Sequence, residues 1–200
     1  ARSGKAIRFA ASDVREFQSR TSTGVRGMTL AKGDEVISLS VLKAFDATTD
    51  ERDAYLRAAA WKAEPGEPTL SATRMDEFAA AEQFILTVTA NGYGKRSSAY
   101  EYRRAGRGGQ GITNIDTSDR NGHVVASFPV TVADHLMLVT DQAKMIRMEV
   151  ADIRIAGRAT QGVTLFRVEK DEHVVSAALI TDEDEGDAEA GENGEAEAAN

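Results

Sequence analysis

Three arginines of this chain each stand four residues before a glycine followed by a β-branched residue: Arg20 before Gly24-Val25, Arg107 before Gly111-Ile112, Arg158 before Gly162-Val163. Other bases accompany them, Lys5, Arg8 and Arg26 in the first copy, Lys95, Arg96, Arg103 and Arg104 in the second, Lys144, Arg147 and Arg154 in the third. Cations repeated at a fixed spacing suit one kind of chemistry, the neutralisation of a regular row of anions, and a nucleic-acid backbone is such a row. Glycines beside Arg107 and Arg158 would let backbone amides approach a phosphate closely. Two plainer uses stay open on spacing alone. Surface strands carry Lys and Arg for solubility, and an arginine can pin the turn before a glycine.

No other residues converge on a reaction. The chain has no cysteine and three scattered histidines, too few ligands for a metal site. His123 and His173 open matching segments and read as packing or turn residues, as do Tyr93, Tyr100 and Tyr102. We therefore expect no catalytic residue, no metal and no cofactor in this chain.

The elements that must position the bases follow from the repeat. Arg107 and Arg158 are 51 positions apart, and the His-Val-Val segments at His123 and His173 are 50 apart. Glu35-Val36-Ile37-Ser38-Leu39 matches those segments and lies 88 before His123, so a surplus of some 36 residues must follow position 42. Residues 46–82 are that surplus. Thr49 or Asp50 can cap a helix running through Ala54–Trp61, Pro65-Gly66-Glu67-Pro68 ends it, and a second helix is expected over 74–81 behind Thr73. Trp61 is expected to dock these helices onto the neighbouring blade.

Elsewhere short β-rich runs alternate with turns. Strands are expected at Ala6–Phe9, Ser12–Phe17, Val25–Leu30 and Glu35–Leu42. Phe84–Thr89 and the return strand from Gly94 flank Asn91-Gly92, a strong hairpin signal; Leu136–Thr140 and Lys144–Met148 flank Asp141-Gln142. A repeat of about 50 residues with four short strands is the sequence form of a propeller blade. The expected fold is thus all-β: residues 1–45 as a blade preceded by further blades, 46–82 as a helical insertion, and 83–180 as the remaining blades.

The net charge of −8 hides an asymmetry. Residues 181–200 hold nine carboxylates and no base, which leaves 24 bases against 23 acids in residues 1–180. Residues 46–77 take eight of those acids and four of the bases, so the repeats themselves are mildly basic. An acidic tail of Asp, Glu, Gly and Ala cannot bury enough surface to order itself and is expected to be disordered. A basic body with such a tail suits a binder of polyanions. No apolar run reaches the roughly 18 to 20 residues of a membrane span, and we expect no membrane partner.

At these residues the chain resembles a known family, the carboxy-terminal domain of bacterial DNA gyrase A. The resemblance rests on Val14–Leu30 with Gly24-Val25-Arg26-Gly27 at its centre, on Asn91-Gly92-Tyr93-Gly94-Lys95-Arg96, on Asp119-Arg120-Asn121-Gly122 and on Gly157-Arg158-Ala159-Thr160-Gln161-Gly162-Val163, closed by the acidic tail. It covers most of residues 4–180 apart from the insertion. It implies a β-pinwheel, a propeller-like disc with strands exchanged between blades, whose basic rim wraps double-stranded DNA. It also implies the rest of gyrase A, together with gyrase B, as partners in a cytoplasmic A2B2 holoenzyme that uses ATP and magnesium through other domains to introduce negative supercoils. The family's first-blade signature Gln-(Arg/Lys)-Arg-Gly-Gly-(Arg/Lys)-Gly is absent; Ala105-Gly106-Arg107-Gly108-Gly109-Gln110-Gly111 matches it at four positions. The rival readings are the corresponding topoisomerase IV domain and a non-catalytic propeller used for protein interaction.

Overall fold

The computed structural model describes residues 1–180, so the expected disordered tail, 181–200, lies outside the described residues. Its strands are β1 (Lys5–Ala6), β2 (Phe84–Thr89), β3 (Tyr93–Ser98), β4 (Ile112–Thr113), β5 (Val124–Val130), β6 (His135–Thr140), β7 (Met145–Glu149), β8 (Val163–Thr164) and β9 (Val174–Ile180). Helices α1 (Thr49–Ala58) and α2 (Ala72–Ala80) lie between the first and second repeats.

The repeat is visible in the backbone. Three 3₁₀ turns, at Ala11–Asp13, Ala99–Glu101 and Val150–Asp152, are separated by the same 88 and 51 positions that the sequence shows. Within a repeat, Asn91-Gly92 turns β2 back onto β3, and the chain then leaves the blade. After its 3₁₀ turn it crosses to the preceding repeat and adds a two-residue strap there. Thus β4 of the second repeat pairs with β1 of the first, and β8 of the third pairs with β3 of the second. The chain then returns as the last strand of its own repeat, β5 against β2 and β9 against β6. The complete sheet is ordered β5-β2-β3-β8. Since β5 and β9 lie against one another, the last strands form the inner edge and the straps form the rim.

The core sits between these sheets. Leu86 and Val88 of β2, Ala126 and Val130 of β5, Leu136 and Leu138 of β6, Val150, Ile153 and Val174 form one buried cluster. Alternation along β6 sends Leu136 and Leu138 inward, whereas β2 is covered on both faces, with Thr87 and Thr89 buried opposite Leu86 and Val88.

The first repeat departs from the sequence expectation. Only Lys5–Ala6 joins a sheet; residues 11–13 are a 3₁₀ turn, and residues 25–30 and 35–42 have no strand ladder. β propensity alone does not make a strand, which needs a partner for its amides, and these segments make only scattered backbone bonds, such as the Thr29 amide to the Gly109 carbonyl and the Gly108 amide to the Gly27 carbonyl, rather than a ladder. Leu39 and Val41 are consequently 83% exposed.

Helix α1 begins one residue earlier than expected, with Thr48 as N-cap. Thr48 and Glu51 form a reciprocal capping box, which satisfies two otherwise unpaired amides. Ser71 caps α2. The two helices close over an aromatic cluster of Phe45, Tyr55, Phe78 and Tyr100, and Trp61 meets Phe84 edge-on at 6.2 Å. Tyr55 Oη and Trp61 Nε1 both donate to one oxygen of Glu82, at 2.5 and 2.9 Å. Tyr100 belongs to the second 3₁₀ turn, where the other two turns carry Ser12 and Ala151. A single aromatic substitution in the repeat therefore decides where the insertion docks.

Glu172 shows how the third repeat is tied. It is buried, and it accepts from the Glu169 amide at 2.9 Å, from Thr140 Oγ1 at 2.7 Å and from Lys144 Nζ at 2.9 Å. These donors, the Glu169 amide first, hold its carboxyl down to about 2. Between the ordinary 4.5 and that value the unfolded chain binds the extra proton. The stabilisation is therefore complete above 4.5 and is lost as the pH falls through that window. Urea midpoints should drop across this range in the parent chain, and Glu172→Gln should flatten the drop while lowering stability at neutral pH.

Candidate nucleic-acid interface

The offsets sort the bases into those that hold repeats together and those that face solvent. Arg107 donates through Nε to the Asp13 carbonyl at 3.2 Å and through Nη1 to the Arg26 carbonyl at 2.6 Å. Arg158 makes the same two bonds one repeat later, to the Glu101 carbonyl at 3.2 Å and the Thr113 carbonyl at 2.7 Å. Each pins its own strap loop to the 3₁₀ turn and strap of the preceding repeat. Arg8 and Arg96 point the other way along the row. Arg8 reaches the Ala99 carbonyl at 2.8 Å, and Arg96 reaches the Ile153 and Ala151 carbonyls at 2.7 and 3.0 Å.

Lys95 belongs to this inner set as well. It has no exposed surface, and its Nζ donates to the Gly157, Arg158 and Thr160 carbonyls and to Thr160 Oγ1 at 2.6 to 3.2 Å. Burial, outweighing the pull of Glu101, lowers its pKa to about 8.

These contacts correct the sequence expectation for five residues. Lys95 and Arg96 are buried, and Arg8, Arg107 and Arg158 are half-buried with their guanidinium N–H groups directed at carbonyls. Lys95 and Arg96 cannot reach a phosphate without leaving their carbonyls unpaired, whereas the two bonds of Arg107 are exposed and use part of its five N–H donors. The glycines of the strap loops serve the same joints: Gly162 adopts φ +78°, and a Cβ there would lie 2.8 Å from the Gly94 carbonyl oxygen.

The remaining expected bases are exposed: Lys5, Arg20, Arg26, Arg103, Arg104, Lys144, Arg147 and Arg154. Lys5 reaches Thr113 Oγ1 at 3.3 Å, Lys144 is held by Glu172, and Arg147 donates to His135 Nδ1 at 3.2 Å. The structure adds one that the sequence reading misses. Arg15 lies 88 positions before Arg103, and Arg154 lies 51 after it, each two residues beyond its 3₁₀ turn where the chain crosses to the rim. All three are exposed. Applying the 88-residue offset to Arg103 would have found Arg15. The same offset relates Lys32 to Arg120, two further exposed bases on the turns at the other end of the blades. Arg120 lies over the Tyr93 ring at 4.9 Å and donates to its hydroxyl at 3.3 Å.

Among the described residues no group of histidines and carboxylates is arranged to hold a metal ion, and no helix is long and apolar enough to cross a membrane. The arrangement can offer cations at a repeated step along a rim, and nothing in it activates a nucleophile.

Strap-exchanged repeats arrayed side by side, the middle one a complete four-stranded sheet, define a module of the β-propeller class. The chain belongs to the DNA gyrase C-terminal domain, beta-propeller family, whose model matches residues 2–43, 83–131 and 134–181 and passes over the insertion. The DNA gyrase A protein of Rickettsia bellii is 50% identical over 203 residues, covering 94% of this chain and 22% of the relative. That of Granulibacter bethesdensis is 48% identical over 215 residues, covering 93% and 23%. That of Haemophilus influenzae is 37% identical over 187 residues, covering 92% and 20%. The chain thus spans about a fifth of the length of these relatives. In fold it is similar to a solved DNA gyrase A C-terminal domain, with a TM-score of 0.65 at 22% identity, covering 90% of this chain and 48% of that one. It is equally similar to the C-terminal domain of DNA topoisomerase IV, with a TM-score of 0.67 at 21% identity, covering 92% and 46%.

Proposed function

We propose that this chain is the DNA-wrapping module of a DNA gyrase A protein, acting within an ATP-hydrolysing type II topoisomerase and contributing no catalytic group of its own. The observation that carries the reading is the ladder Arg15, Arg103 and Arg154: three exposed guanidinium groups at one position of three successive repeats. A duplex lying along the rim meets one such group per repeat. Because the contacts are to phosphates, binding is strong, sensitive to salt and indifferent to sequence. The partners are double-stranded DNA, the remainder of gyrase A, and gyrase B; ATP and magnesium act in the other domains, in the bacterial cytoplasm.

Binding to duplexes of about 20 and about 140 base pairs across a salt series tests this, since the slope of log affinity against log salt is roughly −0.9 per phosphate neutralised. The slope should be steep and should grow with duplex length as further repeats engage. A shallow slope that ignores length would fit a protein-interaction propeller instead. Within the assembled enzyme, negative supercoiling rather than relaxation separates the gyrase reading from a topoisomerase IV one.

A further inference from the structure

Each joint between repeats leaves a cleft beside the base that follows the 3₁₀ turn. At the first joint the cleft lies between Arg8 and the run carrying Arg103, Gly106 and Gly109, and it holds about 140 Å³. Its equivalent at the second joint, 88 and 51 positions on, lies between Arg96 and the run carrying Arg154, Gly157 and Thr160, and it holds about 800 Å³. The larger cleft has a wall that the smaller lacks. Leu56, Trp61, Lys62 and Ala63 of the helical insertion supply it.

That wall is anchored and carries charge. Trp61 is fixed by its bond to Glu82 and its edge contact with Phe84, and the Lys62 amide donates to the Ala59 carbonyl at 3.1 Å. The insertion as a whole is acidic, yet its charges are unevenly placed. Asp50 and Glu51 lie in the first turn of α1, and Arg57 lies in the last. Of the insertion's four bases, Arg52 is paired with Asp53, and Arg74 with Glu51 and Glu77. Arg57 and Lys62 have no described ion pair, and both belong to the end of α1 that meets the cleft. Lys62 is half-buried, and no described carboxylate neutralises its ammonium group.

Other polar groups of the cleft are already engaged. Arg96 donates to the Ile153 and Ala151 carbonyls, and Glu101 accepts the Arg158 amide at 2.7 Å. What remains is Lys62 from the insertion, Arg154 from the third repeat, and one exposed carboxylate, Asp152. We propose that this cleft is a phosphate-binding notch in the DNA path, in which Lys62 and Arg154 hold one strand of a duplex from both sides. The inference rests on the rim reading above and gives the helical insertion a part in it. A duplex following Arg15 and Arg103 meets one cation at each of those repeats and two at the third. Two cations from separate elements suit neighbouring phosphates, and each phosphate neutralised adds to affinity and to salt dependence. An acidic peptide would use the same cations, but only a duplex running along the ladder arrives at the cleft already held at Arg103.

The test is made in the whole protein that carries this chain, with a duplex of about 140 base pairs as the probe. Bound duplex should protect Lys62 from reductive methylation more strongly than Lys170, the exposed third-repeat equivalent of Arg120. Lys62→Ala should lower affinity roughly 3- to 10-fold at about 0.1 M salt and make the salt slope shallower by about 0.9, and Lys62→Arg should restore both. Methylation of the unsubstituted protein keeps the test independent of how the variants fold. Arg154→Ala separates this proposal from the rim reading. If it weakens binding while Lys62→Ala does not and Lys62 stays reactive, the duplex passes the third repeat without touching the insertion. The proposal is then overturned and the rim reading stands. If neither variant changes binding, both fail. Protection of Lys62 by a peptide rich in Asp and Glu, but not by the duplex, would assign the cleft to a protein partner and overturn the proposal as well.

Discussion

Replacing Arg15, Arg103 and Arg154 together by alanine should lower affinity for long duplex DNA by roughly 100- to 1000-fold at about 0.1 M salt. It should also make the salt slope shallower by about 2.7, since each phosphate contact contributes about 0.9. The three residues occupy one position of three repeats, are exposed, and have no described hydrogen-bond partner that their loss would strand. Thermal stability should therefore stay within about 0.5 kcal/mol per site, as for other surface substitutions. Single replacements should act nearly equally and additively, because the sites lie on separate repeats and share no partner. Fluorescence anisotropy with duplexes of unrelated sequence provides the measurement. Equal losses across sequences identify phosphate contacts; a loss confined to one sequence would point to base reading and count against a wrapping rim.

Lys95→Met should do the opposite, weakening the fold while leaving the rim chemistry intact. Methionine fills similar space but donates nothing, so three carbonyls and a hydroxyl of the third-repeat strap loop lose the lysine as a donor. The Gly157 carbonyl keeps the Thr160 amide and hydroxyl and the Thr160 carbonyl keeps the Asp116 amide, so the Arg158 carbonyl bears most of the loss and the total should be about 1 to 3 kcal/mol. At this chain length that lowers the melting temperature by roughly 2 to 12 °C. Below that transition, DNA affinity and salt slope should be close to those of the parent chain, because Lys95 has no exposed surface.

The same substitution predicts a pH signature. The folded Lys95 gives up its proton near 8, while the unfolded residue keeps it to 10.5. Across that window the unfolded chain binds more protons, so stability should rise with pH from about 8 upward. Lys95→Met should abolish the rise. A parent chain whose stability is flat there would mean that Lys95 titrates normally and is not enclosed as described.

Periodicity makes much of this legible, and its misses are instructive. Lys95 looks like a phosphate ligand because it follows Gly94 in a basic run. Its repeat equivalents, however, are Ile7 and Ile146, which mark an interior position that a lysine fills only because carbonyls surround its ammonium group. Arg15 escapes notice because Glu16 and Phe17 disguise the copy, whereas the 88-residue offset points straight at it. The first 3₁₀ turn reads as a strand because its flanking residues are β-prone and the turn is three residues long, too short to leave a helical period.

The sequence by itself determined the repeat, the hairpin at Asn91-Gly92, the place of the insertion and the family, because each depends on local spacing and composition along one stretch of chain. The tertiary structure alone decided which bases are available to a ligand. A guanidinium can donate to a carbonyl or to a phosphate, and the choice depends on which backbone oxygens the fold brings within about 3 Å. Strap exchange carries residues 107 and 158 to carbonyls of the preceding repeat, 45 to 94 positions away in the chain. It leaves Arg15, Arg103 and Arg154 exposed, Arg15 lying over the Phe17 ring at 5.3 Å.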